Sequence, residues 1–302
     1  MTVRYVRPVS HSAYAARRIA LAALLLFALA ALGHRFGPLR TPDFLALLLL
    51  SAAIAATAVP LAILGLARLW QKGAEGGMAS AKALVYAAVP LAVVATAGLA
   101  YWRQPPLYEV STDLEDAPPF LSNPEYDQDW LAGRRPVTVA DRQAQLEAYP
   151  GLTGRRYEGA LDRVLQGVEA AALSSRVVLL ERSGDELLES TEPEEAEEGD
   201  IALPENVPVP LERPGPRPQI DALSAGAEIG PAEDLLIQGE TSTFLLGLPF
   251  DLVIRLREEE ETTSVDMRVV SRYGAHDLGL SAQIAEDFLD RLDAELLGIA
   301  GG

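Results

Sequence analysis

The sequence predicts an α+β fold in which three N-terminal transmembrane helices precede a soluble domain, an antiparallel sheet packed by two helices. Three observations predict it. The first hundred of the 302 residues contain three apolar runs, several later stretches alternate apolar and polar residues, and two later stretches have helical periodicity. The predicted strands follow one another along the chain, which favours pairing between sequence neighbours.

The three apolar runs define a membrane region at residues 1–103. The predicted transmembrane helices cover about 17–36, 43–69 and 83–102. The last two runs are long enough to cross roughly 30 Å of hydrocarbon at about 20 residues per span. The first run is shorter and follows Arg17-Arg18, so a cleaved signal peptide ending near Ala28-Leu29-Ala30 is the alternative. Because ionisable residues are nearly absent inside the spans, an anchor is favoured over an ion pathway.

The flanking charges predict the orientation of these helices. Positively charged residues beside a span stay on the cytoplasmic side. With the N-terminus inside, the inner segments hold seven cations, Arg4, Arg7, Arg17, Arg18, Arg68, Lys72 and Lys82. The outer segments hold three, Arg35, Arg40 and Arg103. We therefore expect the domain in the periplasm, beyond the inner membrane of a bacterium, and cleavage of the first run would not change this location.

The composition excludes several function classes. From Arg103 onward the chain holds 16 basic and 41 acidic residues, a net charge of -25. Binding of nucleic acid or of anionic lipid head groups depends on Lys and Arg, so neither is expected of this part. Cysteine is absent, and two of the three histidines precede residue 103. Disulfides, thiolate chemistry and a histidine-rich metal centre are therefore excluded, and no cofactor is predicted.

The residues after the membrane region divide into a connector and a domain. Residues 104–150 are rich in Pro, Asp and Tyr without a sustained period, which predicts an extended connector. The domain is predicted at 151–302, with a first helix at 158–173 and a strand at 176–180. An acidic, proline-rich insertion at about 189–231 has few bulky apolar residues. Because such a stretch cannot bury enough surface to offset chain ordering, it is predicted to be disordered.

Two alternating stretches near the end predict a pair of strands and a closing helix. The apolar faces of the strands consist of Leu252, Ile254, Leu256, Val265, Met267 and Val269. A turn formed by the four glutamates 258–261 would set Asp251 opposite Arg268, close enough for an ion pair. The core stripe of the helix consists of Leu280, Ile284, Phe288, Leu292 and Leu296. Ser281 is the predicted N-cap of this helix.

The segment 266–281, D-M-R-V-V-S-R-Y-G-A-H-D-L-G-L-S, resembles the signature of a bacterial family called domain of unknown function 1499. That signature runs roughly D-V-R-S-x-S-R-x-G-x-x-D-x-G-x-N. The stretch S-T-D-L-E-D-A-P-P-F at 111–120 and the pair Tyr149-Pro150 also agree with membrane-attached members. The resemblance covers roughly residues 109–297 apart from the acidic insertion. It implies a soluble α+β domain behind a membrane region, and no established activity.

Some positions match the family signature and others depart from it. The matching residues are Asp266, Arg268, Ser271, Arg272, Gly274, Asp277 and Gly279. Family members often carry two adjacent acids before the penultimate strand, where this chain has Asp251 alone. The family's asparagine after the last glycine is Ser281 here. Both residue types are good helix caps, so this position is expected to serve the fold.

The polar residues near the last helix form the candidate ligand-binding site. They are Arg268, Ser271, Arg272, His276 and Asp277. Two guanidinium groups near a helix N-terminus favour an anion. The structural alternative is that Arg268 pairs with Asp251, Asp277 ties the turn together, and Gly274 and Gly279 supply special backbone angles. Asp266 and Ser281 are also assigned structural roles.

The predicted function is that of a noncatalytic envelope protein whose domain binds a protein partner or a small anionic ligand. The alternative is an envelope enzyme of hydrolase type that uses the turn from Arg268 to Asp277. Ser271, His276 and Asp277 hold the atoms for it, but adjacent side chains usually diverge and no G-x-S-x-G elbow is present. No catalytic residue is therefore assigned. An accessory subunit of a transporter is a third possibility.

Overall fold

A computed structural model describes residues 9–124, 126–189, 234–259 and 262–296 of the chain. The predicted disordered insertion at about 189–231 lies outside the described residues except for Glu189. Two of the four glutamates of the predicted turn, Glu260 and Glu261, also lie outside them.

Three long apolar helices form the N-terminal region, as the sequence predicts. They are α1 (His11–Phe36), α2 (Thr41–Lys72) and α3 (Gly77–Arg103), and each is long and apolar enough to cross a membrane. The helices pack through buried alanines, namely Ala16, Ala20 and Ala23 of α1, Ala55, Ala58 and Ala62 of α2, and Ala83 and Ala87 of α3. Small residues allow close approach of helix backbones, which is how membrane helices gain packing contacts. Many larger apolar side chains of the bundle, such as Leu29, Leu64 and Val85, are exposed.

The rest of the chain forms the predicted antiparallel sheet with two helices on one face. Its elements are β1 (Glu109–Ser111), α4 (Val139–Ala148), β2 (Arg155–Glu158), α5 (Leu161–Ser175), β3 (Val178–Ser183), α6 (Glu186–Glu189), β4 (Asp234–Ser242), β5 (Pro249–Glu258), β6 (Thr262–Ser271) and α7 (Leu280–Leu296). The strand order is β1-β6-β5-β4-β3, and β2 also pairs with β6. Every pairing is antiparallel.

The core lies between the sheet and the helices α5 and α7. The alternating apolar residues predicted for the last two strands all belong to it, and so do Phe288 and Leu292 of α7. Leu280, Ile284 and Leu296 of the predicted helix stripe are partly buried against this core. Period-two alternation therefore identified the buried face of the sheet correctly.

The pairing between β5 and β6 differs from the predicted register. Glu258 pairs with Thr263, and Asp251 lies opposite Val270 instead of Arg268. The partner of Arg268 across the ladder is Val253. The predicted ion pair between Asp251 and Arg268 is therefore wrong. The observed register of the hairpin is shifted by two residues from the register that a turn made of all four glutamates would give.

The predicted connector is not simply extended. Residues 104–150 contain β1, which pairs with β6, and the helix α4. The α4 side chain Gln145 donates a hydrogen bond to the Ser111 carbonyl at 2.6 Å and accepts one from the Ser111 amide at 3.2 Å. Between these elements, Ser122 and the β4 side chain Gln238 exchange bonds of 2.9–3.0 Å. This segment covers the face of the sheet opposite α5 and α7.

Candidate functional site

The largest fully buried side chain of the described residues is that of Arg255 in β5, on the face of the sheet away from the helices. It is 2% exposed, and its guanidinium lies 2.9 Å from Asp113, 2.8 Å from Asp116 and 3.2 Å from Asp266. Burial alone would lower the pKa of Arg255, but the carboxylates of Asp266 and Asp116 raise it above its ordinary value. A buried cation is tolerated only when it is paired and hydrogen-bonded, so this cluster holds residues 113–116 against the sheet.

Asp113 and Asp266 are themselves fixed by further contacts. Burial would raise the pKa of Asp113, but the backbone N–H groups of Asp116 and Glu115 and the Arg255 guanidinium lower it below its ordinary value. The Asp266 carboxylate accepts a bond of 3.0 Å from Thr112 Oγ1. It also lies so close to Gly154 that a Cβ there would be 2.3 Å from Asp266 Oδ1. Asp266 is therefore committed to internal contacts.

Another carboxylate on this face, Glu109, joins two arginines. Its side chain is 3% exposed and lies 2.6 Å from Arg142 and 2.7 Å from Arg268. Arg268 also donates to the Pro118 carbonyl at 3.2 Å, and its guanidinium carbon lies 5.1 Å from the centre of the Phe120 ring. Arg268 was predicted to bind a ligand, but its guanidinium is already bound by groups of the protein.

The other predicted anion-binding arginine, Arg272, is also paired. Its guanidinium lies 2.7 Å from the Asp251 carboxylate, is hydrogen-bonded to Glu240, and lies over the ring of Tyr126 at 4.9 Å. Burial would lower the pKa of Arg272, but the bonds to Asp251 and Glu240 raise it well above its ordinary value. Asp251 therefore neutralises Arg272, in place of the Arg268 partnership that the sequence predicted.

Ser271, His276 and Asp277 lie together, although their hydrogen bonds lead in different directions. Ser271 Oγ donates to the Tyr273 carbonyl at 2.9 Å. His276 Nδ1 accepts from the Leu278 amide at 3.0 Å, and its ring stacks on Tyr101 of α3 at 4.7 Å. The three residues line a cavity of about 100 Å³ together with Thr41 and Leu45 of α2.

The start of α7 is capped by a different residue from the one predicted. The Asp277 carboxylate accepts bonds from the amides of Gly279 at 2.8 Å and Ser281 at 3.2 Å, and burial raises its pKa. Ser281 is the second residue of α7, so its predicted N-cap role is wrong. Gly274 and Gly279 have φ angles of +81° and +80°, a region that glycine adopts without strain.

A larger groove lies beside these residues, between α5, α7 and the end of β4. Its volume is about 460 Å³, within the range of small-molecule sites. The polar residues that line it are Ser174, Ser175, Arg176, Thr241, Ser242, Thr243, Gln283, Asp287 and Arg291. Over the described ranges, no carboxylate forms a salt bridge with Arg176 or Arg291. The buried Ser175 Oγ also has no hydrogen-bond partner among those residues.

The groove faces the end of the membrane bundle where α1 ends and α2 begins. Arg35 Nη1, near the end of α1, donates to Ser242 Oγ at 2.9 Å. His34 Nδ1 donates to the Leu246 carbonyl at 2.7 Å. Trp130 Nε1 also donates to the Pro42 carbonyl at 3.2 Å. The domain thus contacts the ends of the apolar helices α1 and α2 directly.

Sequence reasoning missed the groove and the Arg255 cluster for different reasons. Arg255 interrupts an otherwise apolar stretch of a strand. This pattern could have indicated a buried cation that requires acidic partners. The groove is built from three separate elements, and only the run Thr241-Ser242-Thr243 marks it in the sequence. For the part of the chain that the structure describes, no group of three or more His, Cys, Asp or Glu could hold a metal ion.

A family model described as "Protein of unknown function (DUF1499)" matches residues 109–292. The match confirms the resemblance seen in the sequence, and it starts at β1 and ends within α7. Two of the stretches that carried the resemblance, 111–120 and 266–281, meet on one face of the sheet, since Asp113, Asp116 and Asp266 all bind Arg255. Among the curated proteins and the solved structures, none matches the chain.

Proposed function

Because the chain belongs to the family of proteins of unknown function DUF1499, whose description assigns no activity, we propose a function from its geometry. The protein is a noncatalytic envelope protein, anchored by α1, α2 and α3, whose domain binds a small anionic ligand. The observation that carries this proposal is the groove of about 460 Å³ that contains two arginines without acidic partners among the described residues. Guanidinium groups match carboxylate and phosphate geometry, so an anion is the ligand that such a groove favours.

The ligand site proposed here differs from the one that the sequence predicted. Arg268 and Arg272 are already neutralised by Glu109, Asp251 and Glu240. An anion would have to displace these carboxylates before it could bind either guanidinium. In contrast, Arg176 and Arg291 are exposed in the groove and would pay no such cost.

The arrangement of Ser271, His276 and Asp277 supports a noncatalytic role. A nucleophile, its base and an orienting acid must be linked by hydrogen bonds. Here Ser271 Oγ donates to a backbone carbonyl, and the Asp277 carboxylate accepts two backbone amides. The imidazole of His276 accepts a hydrogen bond from the Leu278 amide and stacks on the ring of Tyr101. None of these contacts links the three groups in the order that hydrolysis requires.

The proposed location is the periplasmic side of a bacterial inner membrane. Its support is the excess of seven cations over three in the segments that flank the spans. A periplasm-dependent phosphatase reporter fused after Gly302 should be active, and a reporter that works only in the cytoplasm should be inactive. Activity of the cytoplasmic reporter alone would refute this orientation.

Binding is tested with the purified full chain and glycerol 3-phosphate as a small anion, by calorimetry. The wild type should bind it, and the double variant Arg176→Gln, Arg291→Gln should not. Arg163→Gln is the matched control, because Arg163 is an exposed arginine of α5 outside the groove. Equal binding by the wild type and the double variant, or no binding by the wild type, would contradict the proposed site.

Catalysis is tested separately with Ser271→Ala and His276→Ala in a strain that lacks the native protein. Both variants should fold and restore the wild-type phenotype, because neither hydroxyl nor imidazole is assigned a chemical step. Loss of the phenotype in both, with folding intact by circular dichroism, would favour the enzyme alternative.

A further inference from the structure

The loop between β4 and β5, residues 243–248, rests on the ends of the membrane helices. Its Leu246 carbonyl accepts a hydrogen bond from His34, and Leu246 and Leu248 pack in the apolar cluster around Phe44. Because α1 ends at Phe36 and α2 begins at Thr41, these contacts lie where the chain leaves and re-enters the membrane. The loop is therefore held at the level of the bilayer surface.

Two large apolar side chains at the tip of this loop are exposed. Phe244 is 68% exposed and Leu245 is 81% exposed. The helix α1 carries an exposed apolar stripe at helical spacing, Leu25, Leu29, Leu32 and Phe36. A stripe of this kind on a membrane helix faces lipid, and the loop lies at the end of the same helix, against His34 and Arg35. The bilayer is the partner that this surface fits.

The groove opens directly beside the same loop tip. The guanidinium carbon of Arg176 lies 4.6 Å from the centre of the Phe244 ring, and Thr241, Ser242 and Thr243 lead from the groove into the loop. A lipid whose acyl chains lie against Phe244 would therefore bring its head group to Arg176. Hydroxyl and guanidinium donors of this kind suit a phosphate.

The groove also contains a negative charge, which limits the kind of lipid head group that it can bind. Asp287 of α7 lines it, and no salt bridge to Asp287 occurs within the described parts of the chain. Two arginines and one aspartate together match a head group with a phosphate and an ammonium.

We propose that the groove binds the head group of an amine-bearing phospholipid from the anchoring membrane, with Phe244 and Leu245 immersed in the adjacent leaflet. Arg176 and Arg291 bind the phosphate, and Asp287 binds the ammonium. This inference rests on the proposed function, because it names the ligand class of the same groove.

Lipid selectivity is tested by native mass spectrometry of the full chain released from nanodiscs with equal phosphatidylethanolamine and phosphatidylglycerol. Phosphatidylethanolamine should be retained preferentially, and Arg176→Gln with Arg291→Gln should reduce its retention by about tenfold, as expected for lost charged hydrogen bonds. Asp287→Asn should shift the preference towards phosphatidylglycerol, and Arg163→Gln should change nothing. Preferential phosphatidylglycerol retention by the wild type, or equal retention by the double variant, would overturn the proposal.

Loop insertion has an independent readout, because the chain has no cysteine of its own. A fluorophore on Leu245→Cys should be quenched by spin-labelled lipids in nanodiscs. A fluorophore on Glu258→Cys should not, because Glu258 lies at the opposite end of β5, about 30 Å along the strand. Equal quenching at both positions, or at neither, would refute insertion.

The two proposals fail in distinguishable ways. Binding of glycerol 3-phosphate through Arg176 and Arg291 without retention of any lipid would overturn the lipid inference and leave the groove as a site for a soluble anion. Failure of the wild type to bind glycerol 3-phosphate would overturn the proposed function and, with it, this inference.

Discussion

The domain has two regions rich in arginine, and they differ in how the charges are matched. On the face of the sheet covered by residues 109–142, Arg255, Arg268 and Arg272 each contact at least one carboxylate within 3 Å. In the groove, Arg176 and Arg291 have no acidic partner among the residues that the structure describes. Matched arginines stabilise the fold, whereas unmatched ones remain available to a ligand. The first region is therefore interpreted as scaffold and the second as site.

The largest effect is expected where the buried cation is removed. Arg255→Met leaves Asp113 and Asp266 partly buried without their cation, and the loss of one partner of a buried pair costs about 4 kcal/mol. Chemical denaturation of the full chain in detergent would measure this loss. As a control, Arg156→Met removes a pair with side chains 65% and 36% exposed, which should cost less than about 1 kcal/mol. Equal losses in the two variants would show that the Arg255 cluster does not hold the covering segment.

A smaller loss is expected from Glu109→Gln. The substitution keeps the shape of the side chain but removes the charge that Arg142 and Arg268 share, and bonds to charged groups contribute about 1.5–3 kcal/mol each. We expect the free energy of unfolding to fall by about 2 kcal/mol in the same denaturation assay. Glu169→Gln is the control, because Glu169 pairs with Arg182 at 3.5 Å between exposed side chains. A change below that of the control would place Glu109 outside the scaffold.

Acid should weaken the scaffold through Asp113. The pKa of Asp113 is lower in the folded protein than the ordinary carboxyl value of about 4, so the unfolded chain takes up the proton first on acidification. Its stabilisation is complete above the ordinary pKa and is lost as the pH falls through the folded value. The difference in unfolding free energy between the wild type and Asp113→Asn should therefore shrink from pH 6 to pH 3. A difference that stays constant would show that the charge of Asp113 does not stabilise the fold.

The fold could be predicted from the sequence where burial is periodic. Leu252, Ile254 and Leu256 repeat every second residue, and Phe288 and Leu292 repeat at helical spacing, so their buried faces were identified correctly. The register of the β5–β6 hairpin was not accessible in this way. A shift of two residues leaves every side chain on the same face, so an alternating pattern fits either register equally well.

The covering segment and the groove were missed because their order comes from contacts distant in sequence. Residues 112–137 have no apolar period, and the contacts that place them are polar, such as Asp113 with Arg255 and Ser122 with Gln238. In the groove, Arg176 follows α5 and Arg291 belongs to α7, more than a hundred residues later. A local sequence pattern does not indicate which arginine will pair with a carboxylate that is distant in sequence. The candidate site at Arg268 and Arg272 was therefore chosen from two arginines that the fold neutralises.

The smallest effect on stability is expected in the groove, and it is the one that most sharpens the comparison. Arg176→Gln and Arg291→Gln remove exposed charges without a carboxylate partner in the described ranges, and surface substitutions of this kind change stability by less than about 0.5 kcal/mol. Denaturation of each variant should therefore overlay the wild type, while binding of glycerol 3-phosphate is lost. A loss of stability close to that of Glu109→Gln would mean that these arginines also serve the scaffold. An arginine that binds a ligand but does not stabilise the fold belongs to a site and not to the scaffold. The proposed function therefore requires nearly unchanged stability together with lost binding.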